Sequence, residues 1–374
     1  MKRLGLFGAI LLSVIIAFYM QPVLFPPELE AKKSPEQQIQ NQMTAWKYQK
    51  LQATGFSAYV GKSVAQLEQQ YGKPYDYLTS GFGFETRYYK DQINHLSIEA
   101  NIENEQVSTI KVLSADKEAT VPFKLGMTMQ DLTEITTIYT NFNFKYHENE
   151  IGIELMEEDM HYRPLIAFDN ETFAILFFDQ SSNDLFSIVY LNKDSLLKLL
   201  PYQVFGEGLP QYKIEEQIYW AKVNRAKEVH SFQLLNQLRQ LDELPLYKKT
   251  TTFTTQTELL LNDYLDNPQD ILSKERLNEW QHTNGSAKTT TKFSFTNDEL
   301  NTFIARRKLP QANGMFSHPV IDPTFTFLFL YSDPYYHDRF LVKTSDLLGI
   351  AFSKENMLVL LQKEVKESTE SSDN

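Results

Sequence analysis

Residues 61–90 read GKSVAQLEQQYGKPYDYLTSGFGFETRYYK, and this stretch decides how the chain is divided. Val64, Leu67 and Tyr71 fall on one side of a short helix. Ser63 stands at its N-cap, where a side-chain oxygen meets unpaired backbone N–H groups. Gly72, Lys73 and Pro74 stop it. Strand-like runs follow at 82–89, 95–102 and 107–113, separated by polar turns. A second copy opens at 125–139, LGMTMQDLTEITTIY, with Gly126, Thr128, Met129 and Leu132 where Gly61, Ser63, Val64 and Leu67 stood. Its strand-like runs are 141–146, 151–156, 165–168, 173–178 and 185–191. Both copies close on similar strands, STIKVL and FSIVYL. A repeat of this kind reads as a duplicated structural unit. The expected fold class is therefore α+β. One domain, residues 55–205, holds two related halves, each a helix followed by an antiparallel meander.

Downstream, Glu207-Gly208-Leu209-Pro210 punctuates a boundary. A second domain over 212–362 begins with helical patterns at 215–239, 257–265 and 274–280. A polar loop at 284–292 and a helix at 297–307, capped by Thr296 or Asn297, come next. The apolar run TFTFLFLY at 324–331 is rich in β-forming residues and reads as a strand, as do 346–352 and 357–361. The tail 363–374 is polar and acid-rich, and disorder is expected there.

Upstream, LGLFGAILLSVIIAFYM runs from Leu4 to Met20 behind Lys2 and Arg3. About 17 apolar residues is the lower limit for a helical span. The basic flank places the N-terminus in the cytosol. Residues 1–25 thus read as a signal-anchor transmembrane segment through which the chain meets the membrane, and 26–54 as a spacer. The alternative is a cleaved signal peptide and secretion, which needs a small-residue site. Phe18, Tyr19, Met20, Gln21 and Pro22 do not offer one. With no cysteine in the chain, lipoprotein processing, disulfides, thiolate metal sites and Cys nucleophiles are all excluded. A net charge of −12 argues against a nucleic-acid partner.

The 61–90 stretch resembles the CAP-associated N-terminal domain of exported Gram-positive bacterial proteins. Arg163-Pro164-Leu165-Ile166, Phe177-Phe178-Asp179 and Leu200-Pro201-Tyr202 carry the same resemblance. LLNQLRQLDELPL at 234–246, LFLYSDPYYHDRFL at 328–341 and Leu348-Gly349-Ile350 are similar to a divergent CAP domain. That superfamily takes in cysteine-rich secretory proteins, antigen 5 and pathogenesis-related proteins. The resemblance implies an α-β-α sandwich over 212–362. It also implies a cleft on which two His and two Glu converge, sometimes with a metal. Only His337 has a clear counterpart here. ELLLNDYL at 258–265 holds no His, and neither His282 nor His318 has the matching spacing. No converging set is expected from these positions, and no cofactor or metal.

His337 is thus the single candidate site residue, as a metal ligand or oriented base on one reading and as a structural side chain on the other. Glu157, Glu158, Asp159 and His161 read as a metal patch or, more blandly, a solvated turn. The aromatic residues at 82–89 read as a carbohydrate-stacking face or as core. G-x-S-x-G, P-loop and H-E-x-x-H motifs are absent. The expected function is a membrane-anchored, extracytoplasmic cell-envelope protein, non-catalytic, that binds a protein or cell-wall partner. The alternatives are a CAP-type hydrolase and a small-molecule or lipid binder, each using a cleft near His337. Two or more His, Asp or Glu converging on His337 in a cleft, within metal-ligand reach, would overturn the non-catalytic reading. An apolar pocket of adequate volume would favour the binder.

Overall fold

Gly61 and Gly126 play matching parts in the two copies. The Gly61 N–H donates to the Val107 carbonyl at 2.8 Å and the Gly126 N–H to the Leu185 carbonyl at 2.7 Å. Their φ angles, 86° and 81°, lie in the left-handed region open to glycine. Two residues on, Ser63 bridges Gln106 and Thr128 bridges Asp184. Each helix therefore starts where its cap residue is pinned beside the strand that closes its own copy.

The computed structural model describes residues 46–91, 95–115, 117–285, 292–309, 312–341 and 345–363. The expected signal-anchor segment, most of the spacer and most of the tail lie outside them. Among the described residues no helix is long and apolar enough to cross a membrane. In chain order the N-terminal part contains β1 (Lys50–Leu51), α1 (Val64–Tyr71), β2 (Asp76–Thr79), β3 (Glu85–Asp91), β4 (Leu96–Glu103) and β5 (Gln106–Ser114). It continues with α2 (Lys117–Thr120), α3 (Met129–Ile135), β6 (Asn141–Tyr146), β7 (Asn149–Glu154), α4 (Glu157–Tyr162), β8 (Leu165–Phe168), β9 (Phe173–Phe178), β10 (Leu185–Leu191), α5 (Lys193–Leu199) and β11 (Gln203–Phe205). The C-terminal part follows with α6 (Trp220–Leu241), α7 (Thr251–Asp266), α8 (Lys274–Gly285), β12 (Phe293–Ser294), α9 (Asn297–Arg306), β13 (Ala312–His318), α10 (Pro323–Tyr331), α11 (Pro334–Phe340), β14 (Leu347–Ser353) and β15 (Asn356–Gln362).

The two closing strands pair with each other. β5 and β10 run antiparallel, Ile110 opposite Tyr190 and Val112 opposite Ile188, inside a sheet ordered β1-β8-β9-β10-β5-β4-β3-β2. β6 and β7 leave that sheet and join β11 in a three-stranded one. Lys50 and Leu51, expected in the spacer, instead form the strand that pairs in parallel with β8.

Alternation along a strand sends neighbours to opposite faces, and both faces of the large sheet are covered. In β9, Phe173, Ile175 and Phe177 enter a core shared with the C-terminal part. Ala174, Leu176 and Phe178 enter the core beneath α1 and α3. The C-terminal sheet, ordered β12-β13-β15-β14, does the same: Met357, Val359 and Leu361 face the shared core, and Leu358 and Leu360 face the core of α7, α8 and α9. The described residues from Trp46 to Lys363 pack as one unit, because the cluster that fills one part continues into the other.

One expectation fails outright. TFTFLFLY is helix α10, not a strand. A run apolar on every side carries no period from which to choose. Asp322 decides it by capping the helix, its Oδ1 accepting from the Phe325 N–H at 3.0 Å, with Pro323 at the first helical position.

Gly349 in β14 shows how tightly helix meets sheet. A methyl added there would overlap Thr257 Oγ1 of α7 and press on the Phe253 ring. Gly349→Ala is expected to lower stability by roughly 1–3 kcal/mol, the usual cost of overpacking. Urea unfolding of the variant measures it, and a loss below about 0.5 kcal/mol would show that α7 gives way freely.

Candidate functional site

Asp333 begins α11 by accepting hydrogen bonds from the Tyr335 and Tyr336 N–H groups at 2.9 and 3.3 Å. Pro334 takes the first helical position. This local chemistry, legible in SDPYYH, points the His337 side chain back under α10. Its Nδ1 lies 2.7 Å from the Tyr331 carbonyl. A carbonyl only accepts, so Nδ1 carries the proton and Nε2 holds the lone pair of the neutral ring. The Tyr331 ring packs edge-on at 4.7 Å.

What faces Nε2 comes from the other part of the chain. The turn between β9 and β10 places Ser181 Oγ 3.3 Å and Asp179 Oδ2 3.9 Å from it. Asp179 is held by its other oxygen, which accepts from the Ser181 and Ser182 N–H groups at 2.8 and 2.7 Å. Gln180 anchors the same turn by donating to the Ser332 carbonyl at 2.5 Å. A second acid, Asp242, caps the C-terminus of α6. Ligand atoms of Asp179, Asp242 and His337 all lie within 4.8 Å of one another, and among the described residues this is the one such group.

The expectation that nothing converges on His337 is therefore corrected. Two carboxylates do, from positions with no counterpart in the family's His/Glu pattern. The convergence is not in an open cleft, since His337 is 2% exposed and Asp179 6%. Asp242 Oδ2 is buried and without a hydrogen-bond partner. Burial first, and then the charge of Asp179, pushes its carboxyl up to about 6, against the pull of His337 and Arg239. An imidazole with Nδ1 on a carbonyl and Nε2 facing two carboxylates fits a divalent cation in donor type. It equally fits a buried polar joint.

The residues that carried the resemblance line this joint. Arg163 is buried and bonded to Asp159 at 2.9 Å, and its guanidinium lies 4.4 Å above the Phe329 ring. Tyr202 donates to the Arg163 carbonyl. Phe177 meets Phe325 edge-on at 6.0 Å.

The other candidates separate. Glu157, Glu158, Asp159 and His161 lie on helix α4 rather than a turn, and Asp159 is engaged by Arg163. His318 is buried on β13, its Nδ1 2.9 Å from Asn356 Oδ1. His282 is exposed on α8. Phe82, Tyr88 and Tyr89 are core, not a stacking face. An apolar cavity of about 180 Å³ beside Ile321, Phe325 and Phe329 is smaller than the roughly 300–1,000 Å³ of small-molecule sites.

Residues 60–202 match the protein family described as CAP-associated N-terminal. The chain is 24% identical over 217 residues to the uncharacterized membrane protein YlbC of Bacillus subtilis (strain 168). That alignment covers 57% of this chain and 61% of the relative's length. An extracellular protein containing a SCP domain from Bacillus anthracis str. Ames is similar in structure, with TM-score 0.62 and 16% identity, over 86% of this chain and 99% of that one. A cysteine-rich secretory protein from Staphylococcus aureus subsp. aureus Mu50 gives TM-score 0.61 and 16% identity, over 84% and 95%. The chain thus resembles Gram-positive bacterial proteins in which a CAP-associated N-terminal domain precedes a CAP-like one. At this identity the structural likeness is one of fold.

Proposed function

We propose that the chain is a single-pass, membrane-anchored protein of the cell envelope, with its N-terminus in the cytosol and residues 46–363 outside. In this reading it binds a protein or cell-wall partner and is not an enzyme. The burial of His337 carries the reading. A catalytic imidazole has to reach its substrate, and this one is bonded to a carbonyl on one side and roofed by Ser181 and Asp179 on the other. The CAP position has become a joint between the two parts of the chain. The name of the membrane-protein relative and the extracellular source of one structural neighbour agree with the location.

The convergence of Asp179, Asp242 and His337 favours a second reading, a metal-dependent hydrolase. Asp242 distinguishes the two. Its folded carboxyl titrates near 6 and its unfolded one near ~3.9. Between those values the folded state binds more protons, so this group's contribution to stability falls as pH rises through the window. As a joint without metal, Asp242→Asn should raise the melting temperature at pH 7, equally with EDTA or zinc, and the gain should vanish near pH 4. A wild-type melting temperature that zinc raises, and that Asp242→Asn no longer lets zinc raise, would sink the non-catalytic reading.

A further inference from the structure

The N-terminal half of α6, one face of α7 and the end of β14 enclose an open groove of about 790 Å³ on the C-terminal part. That volume lies within the roughly 300–1,000 Å³ typical of small-ligand sites. None of the residues around His337 lines it.

Its charges balance and are spent on one another. Arg225 Nη1 lies 2.7 Å from Glu228 Oε2 and 3.6 Å from Glu258 Oε1, and Lys249 supplies the second cation. A groove with two acids and two bases so arranged offers little net field to a polyanion or a polycation. What remains is hydroxyl and amide chemistry. Asn224, Thr251, Thr255, Asn262 and Ser353 line the walls. Thr254 is the telling residue. It is 3% exposed, it lines the groove, and its Oγ1 has no hydrogen-bond partner in the protein. Buried hydroxyls normally find one, and Thr254 lacks it in the wall of the groove. Glu228 is likewise buried, so part of the polar lining is held by the fold rather than solvated.

The complementary ligand is uncharged and dense in donors and acceptors. We propose that the groove between α6 and α7 is a binding site for a neutral oligosaccharide. This rests on the reading of the chain as a non-enzymatic envelope binder and names the chemistry of its partner.

The test is calorimetric titration of the full chain in detergent micelles with chitotetraose and maltotetraose, with tetra-alanine alongside. At least one saccharide should bind with Kd below roughly 1 mM. Asn262→Ala and Glu258→Gln should each weaken it by about tenfold while leaving the melting temperature unchanged. Absence of saccharide binding, equal binding of tetra-alanine, or affinity indifferent to both variants would overturn the proposal. Shortening of the bound saccharide, seen by mass spectrometry and lost in His337→Ala, would support the groove and overturn the non-enzymatic reading instead.

Discussion

Asp322→Ala is expected to lower the free energy of unfolding by about 3–5 kcal/mol, the cost of breaking a buried ion pair by removing one member. Lys111 is 1% exposed. Its Nζ donates to both oxygens of Asp322 at 2.9 and 2.7 Å and lies 3.2 Å from Glu99. Asn101 completes the set, its Nδ2 donating to Asp322 Oδ2 at 2.7 Å and its Oδ1 accepting from Lys111 at 3.1 Å. Lys111 comes from the large sheet and Asp322 from the start of α10, so the pair fastens the two parts together. Asp322 is also the cap of α10, and that loss adds about 1 kcal/mol.

The triple variant Glu99→Gln/Lys111→Met/Asp322→Leu should lose less than Asp322→Ala, because the desolvation cost disappears with all three charges. Urea denaturation gives both values. A triple variant weaker than the single one would mean that the network, not the unbalanced charge, carries the energy. The pH sign follows from the same geometry. Burial raises the Asp322 carboxyl, but the Lys111 charge and hydrogen bond, the Phe325 N–H and the Asn101 amide together hold it below its ordinary value. Its contribution is present above the unfolded value near ~3.9 and is lost as pH falls through the folded one.

Lys227→Met is expected to act in the opposite direction, stabilising the fold at pH 6. Lys227 lies on α6 with its Nζ 4.4 Å from the Phe82 ring centre, 5.2 Å from Trp220 and 5.9 Å from Phe352. It donates to the Lys354 carbonyl at 3.3 Å. Burial drives its ammonium down to about 7, against the pull of Glu355 and Asp322. The unfolded lysine keeps its proton to about 10.4. Between those values the unfolded state binds more protons, so the wild type gains stability as pH rises through the window.

At roughly 1.4 kcal/mol per unit, the charged lysine costs about 5 kcal/mol below pH 7, offset in part by ring contacts of about 0.5–2 kcal/mol each. The net gain on replacement should be roughly 1–3 kcal/mol at pH 6, in the range of burying the methionine side chain instead. It should shrink to nothing toward pH 10. Unfolding curves at pH 6, 8 and 10 read it, and a gain independent of pH would show that the ammonium is not what the site opposes.

Much of the N-terminal part was legible because its signals are local. Ser63 and Thr128 sit beside the helices they start, and six-residue strands such as β6 and β9 carry their own alternation or apolar run. His337 stands out only through the resemblance of 328–341, and its helix, started by Asp333 and Pro334, reads in the sequence as a turn. Three features were not legible. The path of α10 is hidden because an apolar run reports burial without reporting period. Its cap, Asp322, is fixed by Lys111 from 211 residues away. Asp179 and Asp242 look like any acid in a hairpin turn or at a helix end. They become neighbours of His337 only when the β9–β10 turn is laid across the corner between α10 and α11.

The sequence by itself determined the repeat and the class of most elements, because caps, turns and side-chain periods act over a few residues. Only the tertiary structure decided that the two parts share a core, that TFTFLFLY coils, and that two carboxylates roof the histidine. Those outcomes depend on which surfaces are buried against each other, and no local pattern encodes a partner across a sheet.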